Sequence, residues 1–121
     1  MSDAAELVRR LYELYQARDW DTAAQLLHPN ATVDMPSTGE RLMGRAGVID
    51  FQRAYPEPWG ELSVLQVVAQ GDAAAAEVEV VASEGTFRNA AFWRTEDGLL
   101  HEGVEYWVTV GGEEPPAWRQ R

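Results

Sequence analysis

The chain has no cysteine among its 121 residues. A disulfide framework, a thiolate nucleophile and a sulfur-ligated zinc site are therefore excluded. Positive charge is scarce. Ten basic residues stand against twenty acidic ones, for a formal net charge of −10 and a pI near 4.5. Affinity for nucleic acid comes mostly from basic side chains that neutralise phosphates, and an anionic membrane surface attracts the same side chains. Neither partner is expected. No apolar run approaches the roughly 20 residues of a membrane span. The opening residues Met1-Ser2-Asp3-Ala4-Ala5-Glu6 carry no basic region and no apolar core, so no secretory signal is read there and a cytoplasmic protein is expected. The glycines of Gly44-Arg45-Ala46-Gly47 lack the Lys-Ser that completes a phosphate loop, and no two histidines lie four apart. No cofactor and no metal site is expected.

What is present is an ordinary globular composition, 45% hydrophobic and 25% charged, in a length that fits one domain, residues 1–121, with a core of its own. Leu7, Val8, Leu11, Leu14 and Tyr15 recur at helical spacing and predict a helix over 4–17. Asp3 caps it, with Glu6 three residues on. Asp19 or Asp21 opens a second helix carrying Ala23, Ala24, Leu26 and Leu27, and Pro29 stops it. A short strand follows at Ala31–Met35. Ser37-Thr38-Gly39-Glu40-Arg41 is a loop by composition. A third helix opens at Gly44, presents Val48, Phe51 and Tyr55, and stops at Pro56 and Pro58. From Glu61 the period changes to two. Strands are predicted at 61–70, 73–83, 86–95 and 99–109, joined by Gly71-Asp72, Glu84-Gly85 and Glu96-Asp97-Gly98. The tail, 111–121, is irregular.

Helices followed by a meander of strands make an α+β arrangement. The element order, the run Asn30-Ala31-Thr32-Val33-Asp34-Met35-Pro36, the helix opening Gly44-Arg45-Ala46-Gly47-Val48-Ile49 and the late strand Val104-Glu105-Tyr106-Trp107 resemble the nuclear transport factor 2-like superfamily, and within it the SnoaL-like proteins. The resemblance spans residues 4–110. It implies a cone, in the manner of a cystatin-like α+β barrel: a curved antiparallel sheet closed by three N-terminal helices over a pocket, with sheet-to-sheet homodimers common. It implies a small-molecule pocket protein. The expected activity is an isomerase, cyclase or hydrolase acting on an apolar polyketide-, terpenoid- or steroid-like molecule by acid–base chemistry. The alternative is a non-catalytic ligand-binding or dimerisation domain.

The resemblance also tests particular activities. The base position of the steroid isomerases falls on Met35, their tyrosine position on Leu11, one residue before Tyr12, and their buried acid near Ala90 or Ala91. All are apolar, so ketosteroid isomerisation in its known form is rejected. The acids of limonene-type epoxide hydrolases fall on Glu79 and Glu105, but their arginine falls on Glu77, and their tyrosine and asparagine fall on Val33 and Met35. Arg88 is a candidate replacement for the missing arginine.

The catalytic candidates are Glu105, His101 and Glu77. His101, Gly103, Glu105 and Trp107 share one face of the last strand, and the resemblance implies that this face lines the pocket. Crowded carboxylates raise one another's pKa into the range of a useful acid or base. Against that, Glu77 and Glu79 alternate with Val78 and Val80, the pattern of a solvated strand face, and His101 near a strand start fits a structural role. Asp34 points opposite to Met35 and is expected exposed or paired with Arg45. The pocket-lining candidates are Met35, Phe51, Tyr55, Trp59, Glu79, Arg88, Trp93, Gly103 and Trp107. Large aromatics mostly pack cores, but an apolar ligand site uses the same residue types.

Overall fold

Asp3 starts the first helix as its position predicts. Its carboxylate accepts from the Glu6 backbone N–H at 2.8 Å, which satisfies one donor that a helix start leaves open. The computed structural model describes residues 3–55 and 60–119. Helix α1 runs Ala4–Ala17 and buries Leu7, Val8, Leu11, Tyr12, Leu14 and Tyr15. The buried stripe is wide enough to take in Tyr12 beside the apolar positions. Asp19 caps α2 (Trp20–Gln25) by accepting from the Thr22 N–H at 3.2 Å. Helix α3 (Gly44–Arg53) opens at Gly44, whose φ is 79°, and buries Val48 and Ile49. Among the described residues no helix is long and apolar enough to cross a membrane.

Among the described residues six strands form one sheet: β1 Leu27–Met35, β2 Glu40–Met43, β3 Glu61–Gln70, β4 Ala73–Ala82, β5 Gly85–Glu96 and β6 Leu99–Thr109. Their order is β2-β1-β6-β5-β4-β3. A short 3-10 turn, Ala117–Arg119, lies in the tail.

This corrects the expected cone. The sheet is open, with β2 and β3 as its edges, and it is mixed rather than antiparallel throughout. β1 runs parallel to β6 in the register Thr32↔Glu102, Val33↔Gly103 and Asp34↔Val104. A parallel pair needs a long crossover, and here β2, α3 and strands β3 to β5 supply it. Turn chemistry predicts hairpins between neighbours in sequence and says nothing of such a distant pairing. The edge strand β3 pairs only with β4, so no ladder closes the sheet on itself.

The first strand is also longer than the apolar alternation predicts, starting at Leu27 and running through His28 and Pro29. Its register against β6 slips between Leu27 and Thr32, and Pro29 falls inside the slip, where the missing N–H costs no ladder bond. The residues expected to be a loop provide β2 instead, because Glu40–Met43 pair back onto β1. That pairing puts Arg41 opposite Asp34, and the two form an ion pair at 2.8 Å. Arg45, the expected partner, donates to the Leu27 carbonyl from Nε at 2.9 Å and from Nη2 at 2.7 Å.

All three helices serve one face of the sheet. Helix α1 packs across β3 to β6, and α3 packs on β1 and β2. Inward residues alternate along each strand: Ala31, Val33 and Met35 on β1; Ala74, Ala76 and Val78 on β4; Asn89, Ala91 and Trp93 on β5; Gly103 and Glu105 on β6. The outer face carries Glu77, Glu79, Arg88, Phe92, Tyr106 and Val108. Two polar side chains are therefore delivered into an otherwise apolar interior: Asn89 and Glu105, at 0% and 2% exposure.

Candidate functional site: a buried carboxyl at an aromatic cavity

Glu105 reaches the interior because β6 alternates and Gly103 and Trp107 share its face. The Tyr12 hydroxyl donates to Glu105 Oε2 at 2.5 Å, and Trp107 Nε1 donates to Oε1 at 3.2 Å. Tyr12 is itself oriented by Trp93, whose Nε1–H donates to the phenol oxygen at 3.1 Å. A chain of donors thus runs from Trp93 through Tyr12 to the carboxyl. Gly103 keeps it in place: a Cβ there would come within 2.8 Å of the Trp93 ring, so only glycine lets the indole lie flat on β6.

Burial pushes the Glu105 carboxyl above the usual carboxylate range, since desolvation disfavours the charged form. The bonds from Tyr12 and Trp107 and the nearby Asn89 amide pull the other way without cancelling it. Burial likewise pushes the Tyr12 phenol well up, reinforced by the charge of Glu105, and does the same to Tyr15. Both phenols stay protonated, and Tyr12 is the donor. The Asn89 amide acts on Glu105 from beside it, yet its Nδ2 and Oδ1 are buried without a hydrogen-bond partner among the described residues. Such groups are costly unless something pairs with them.

Glu105 faces a cavity of about 250 Å³ lined by Tyr12, Tyr15, Met35, Ser37, Thr38, Glu40, Phe51, Gln52, Tyr55, Leu62, Val80, Phe87 and Trp107. Of the residues singled out from sequence, Glu105, Met35, Phe51, Tyr55 and Trp107 meet here. Others lie elsewhere. Trp93 is in the core and Gly103 packs beneath it. Glu77 and Glu79 are on the outer face, where Arg88 binds Glu79 at 2.8 Å and Glu77 at 3.2 Å. They lie there because Val78 and Val80 take the inward positions of β4, and strand alternation leaves their neighbours outside. Trp59 lies outside the described residues.

His101 is also remote from the carboxyl. The β5–β6 register slips between Arg94 and Thr95, which leaves His101 unpaired in the ladder. Its Nε2 lies 3.8 Å from Glu96, which His28 Nε2 approaches at 3.4 Å. The three donor atoms fall within 4.8 Å of one another, a spacing that invites a metal reading. His28 Nδ1, however, accepts from the Asn30 backbone N–H at 3.0 Å. A neutral imidazole with that nitrogen free carries its proton on Nε2, so the nitrogen facing Glu96 is a hydrogen-bond donor rather than a ligand.

Sequence reasoning missed Tyr12, Tyr15 and Asn89. Helical spacing was the available signal for the tyrosines, because Val8, Tyr12 and Tyr15 are four and three residues apart and so share a face. The position that the resemblance gave to a buried acid, Ala90 or Ala91, lies on β5 beside the buried carboxyl that this chain carries: Ala91 pairs across the ladder with Glu105. The carboxyl comes from the neighbouring strand.

A second, wider trough of about 610 Å³ is lined by Asp34, Arg41, Val68, Phe92, Arg94 and Glu102 among others. Three of its charged groups are paired, Asp34 with Arg41 and Arg94 with Asp72 at 3.5 Å, and Glu102 is exposed. It holds no buried ionisable side chain, so the smaller cavity is the candidate site.

Solved structures of similar shape come from several sources. A candidate ketosteroid isomerase of Kribbella flavida is 29% identical, with a TM-score of 0.88, covering 97% of this chain and 84% of its own. A nuclear transport factor 2-like protein of Burkholderia xenovorans is 19% identical at a TM-score of 0.80, covering 94% and 88%. An LEH-like epoxide hydrolase of M. tuberculosis is 18% identical at 0.73, covering 87% and 82%; these last two speak to fold alone. The chain has no match among curated proteins. The model of the SnoaL-like domain matches residues 8–103, and with that match the chain belongs to the SnoaL-like family of the nuclear transport factor 2-like superfamily.

Proposed function

We propose that the cavity at Glu105 is the working site of a small-molecule enzyme of isomerase, cyclase or hydrolase type, with Glu105 as the group that exchanges a proton with the substrate. One observation carries this: a carboxyl with 2% exposure, held by two donors at the wall of an aromatic cavity, with its pKa raised by burial. An acid or base works best when its pKa approaches the working pH. Tyr12 gives the carboxyl a fixed direction. The Kribbella flavida relative favours an isomerase-like use of the pocket. Its mechanism does not transfer directly, because Met35 stands at the base position and Tyr12 with Glu105 makes a different constellation.

The second reading is a binding domain without catalysis. It is favoured by the fact that both Glu105 oxygens already accept a bond within the protein and that His101 lies away from the cavity. A thermal-shift and turnover screen of small terpenoid, polyketide and steroid fragments separates the two. The proposed enzyme raises its melting temperature with a fragment and converts a member of that set. Stabilisation across the set with no conversion of any compound supports the binding domain.

We propose further that the working form is a homodimer joined through the outer sheet face. Phe92 and Tyr106 meet edge to face there at 5.9 Å, at 49% and 47% exposure, and Val68 and Val108 are more exposed still. Apolar patches of this kind are uncommon on the free surface of a monomer. Sedimentation at micromolar concentration is expected to give twice the 13.5 kDa chain mass, and Phe92→Glu is expected to halve it. A wild-type monomer contradicts the proposal.

A further inference from the structure

Among the described residues, the charge of Glu105 has no cationic counterpart in the cavity wall. The residues that line its cavity include a second acid, Glu40, and no arginine, lysine or histidine. The basic side chains near the sheet are committed elsewhere: Arg41 to Asp34, Arg45 to the Leu27 carbonyl, Arg88 to Glu77 and Glu79, Arg94 to Asp72. Both histidines belong to the Glu96 cluster. The chain as a whole carries −10, a field that concentrates cations and repels anions.

The rest of the wall suits a cation as well. Tyr12, Tyr15, Phe51, Tyr55, Phe87 and Trp107 all line the cavity. Aromatic faces attract an ammonium group, most strongly where water is excluded. Tyr12 and Trp107 each donate one bond to Glu105 and the Asn89 amide lies beside it, and an ionised carboxylate with about four acceptor positions still keeps a place for a donor from a ligand. Glu40 adds negative charge to the same wall, with its Oε1 held by the Thr38 hydroxyl at 2.6 Å. A neutral apolar ligand would use the rings and leave the carboxyl unanswered. A volume of about 250 Å³ lies just below the ordinary range of ligand pockets, roughly 300–1,000 Å³, which limits the ligand to a small molecule.

We propose that the Glu105 cavity receives a small organic amine, its ammonium N–H bound to the Glu105 carboxylate and its apolar substituents against the aromatic wall. This rests on the reading of the cavity as the binding site and names the class of molecule it takes. It predicts electrostatic selection: of two ligands equal in shape, the charged one binds.

Benzyldimethylamine, protonated at neutral pH, and isobutylbenzene, its neutral isostere, form such a pair. Binding of each is measured by NMR titration at pH 7, in the wild-type protein and in Glu105→Gln. A charge-assisted hydrogen bond is expected to favour the amine by about tenfold or more, and the preference is expected to disappear in Glu105→Gln while isobutylbenzene still binds. Equal affinity for the two ligands in the wild type overturns the amine proposal and leaves the cavity as a binding site. A preference that survives in Glu105→Gln also overturns it, because the amine is then held elsewhere. Binding of neither ligand at millimolar concentration overturns both the proposal and the reading beneath it. Should Glu105→Gln fold poorly, the wild-type protein still decides: a bound ammonium favours the charged carboxylate, so the amine must lower the midpoint of the Glu105 carboxyl 13C titration, the isostere must not, and the absence of that difference refutes the assignment.

Discussion

Glu105→Gln is expected to lower kcat for any substrate turned over in the cavity by about 10²–10⁴-fold, the range that a positioned general acid or base contributes. The amide fills the same volume beside Tyr12 and Trp107, so a neutral ligand should keep nearly its wild-type Kd. What is lost is proton exchange. Among the described residues, the carboxyl is the one buried ionisable group on the cavity wall that burial moves towards neutral pH; the phenols of Tyr12 and Tyr15 are moved away from it. The other acid among the described wall residues, Glu40, is exposed and held by Thr38. The measurement is kcat and Kd for the same compound in both proteins. Near wild-type turnover in the variant would make the polar end of the cavity a recognition feature, and the binding-domain reading would replace the enzyme.

Trp93→Ala should be the most damaging single change to the fold. The indole is 2% exposed at the centre of the sheet, and truncating a buried tryptophan costs about 3–5 kcal/mol. A domain of this size has roughly 5–15 kcal/mol in total, so the loss is a large share of it. Two effects combine. The ring that lies on Gly103 disappears, leaving a cavity that a glycine cannot fill. The donor to the Tyr12 hydroxyl disappears as well. Urea unfolding is expected to show a fall in midpoint with little change in slope. Trp93→Phe, which keeps the ring stack and loses the N–H, should cost clearly less. Equal losses in the two variants would mean that the hydrogen bond and not the packing dominates.

The local features of the fold were legible because their causes are local. Asp3 and Asp19 cap the helices they precede, and Gly71-Asp72 and Asp97-Gly98 turn the chain between strands whose ends match the alternation to within one or two residues. The parallel contact of β1 with β6 was not legible. It joins segments some seventy residues apart, and nothing in either strand's pattern names its partner. β2 was hidden for the same reason: Glu40 and Arg41 close a polar, loop-like run from Ser37, and Glu40–Met43 is a strand because β1 offers an edge. At the site, Glu105 was legible because Gly103 and Trp107 share its face. Tyr12 was hidden by its neighbour, since Leu11 occupied the position that the resemblance assigned to a tyrosine while the helix turned Tyr12 towards the carboxyl. The orientation of Glu77 and Glu79 depended on which face of β4 met the helices, a choice made by packing and not by the strand itself.

The carboxyl's state also governs how stability changes with pH. Glu105 is held above its ordinary pKa in the folded protein, so the fold binds its proton more tightly than the unfolded chain does. That contribution to stability is complete below the unfolded pKa, near 4.3 for a free glutamate, and is lost as pH rises through the folded value. The most direct test is the 13C NMR titration of the Glu105 carboxyl in the ligand-free protein, assigned by the signal that Glu105→Gln removes. The expected result is a midpoint above the range of the exposed glutamates in the same spectra. A midpoint within or below that range would show a carboxyl ionised like any other, and would contradict Glu105 as the buried proton-exchanging group on which the proposed function depends.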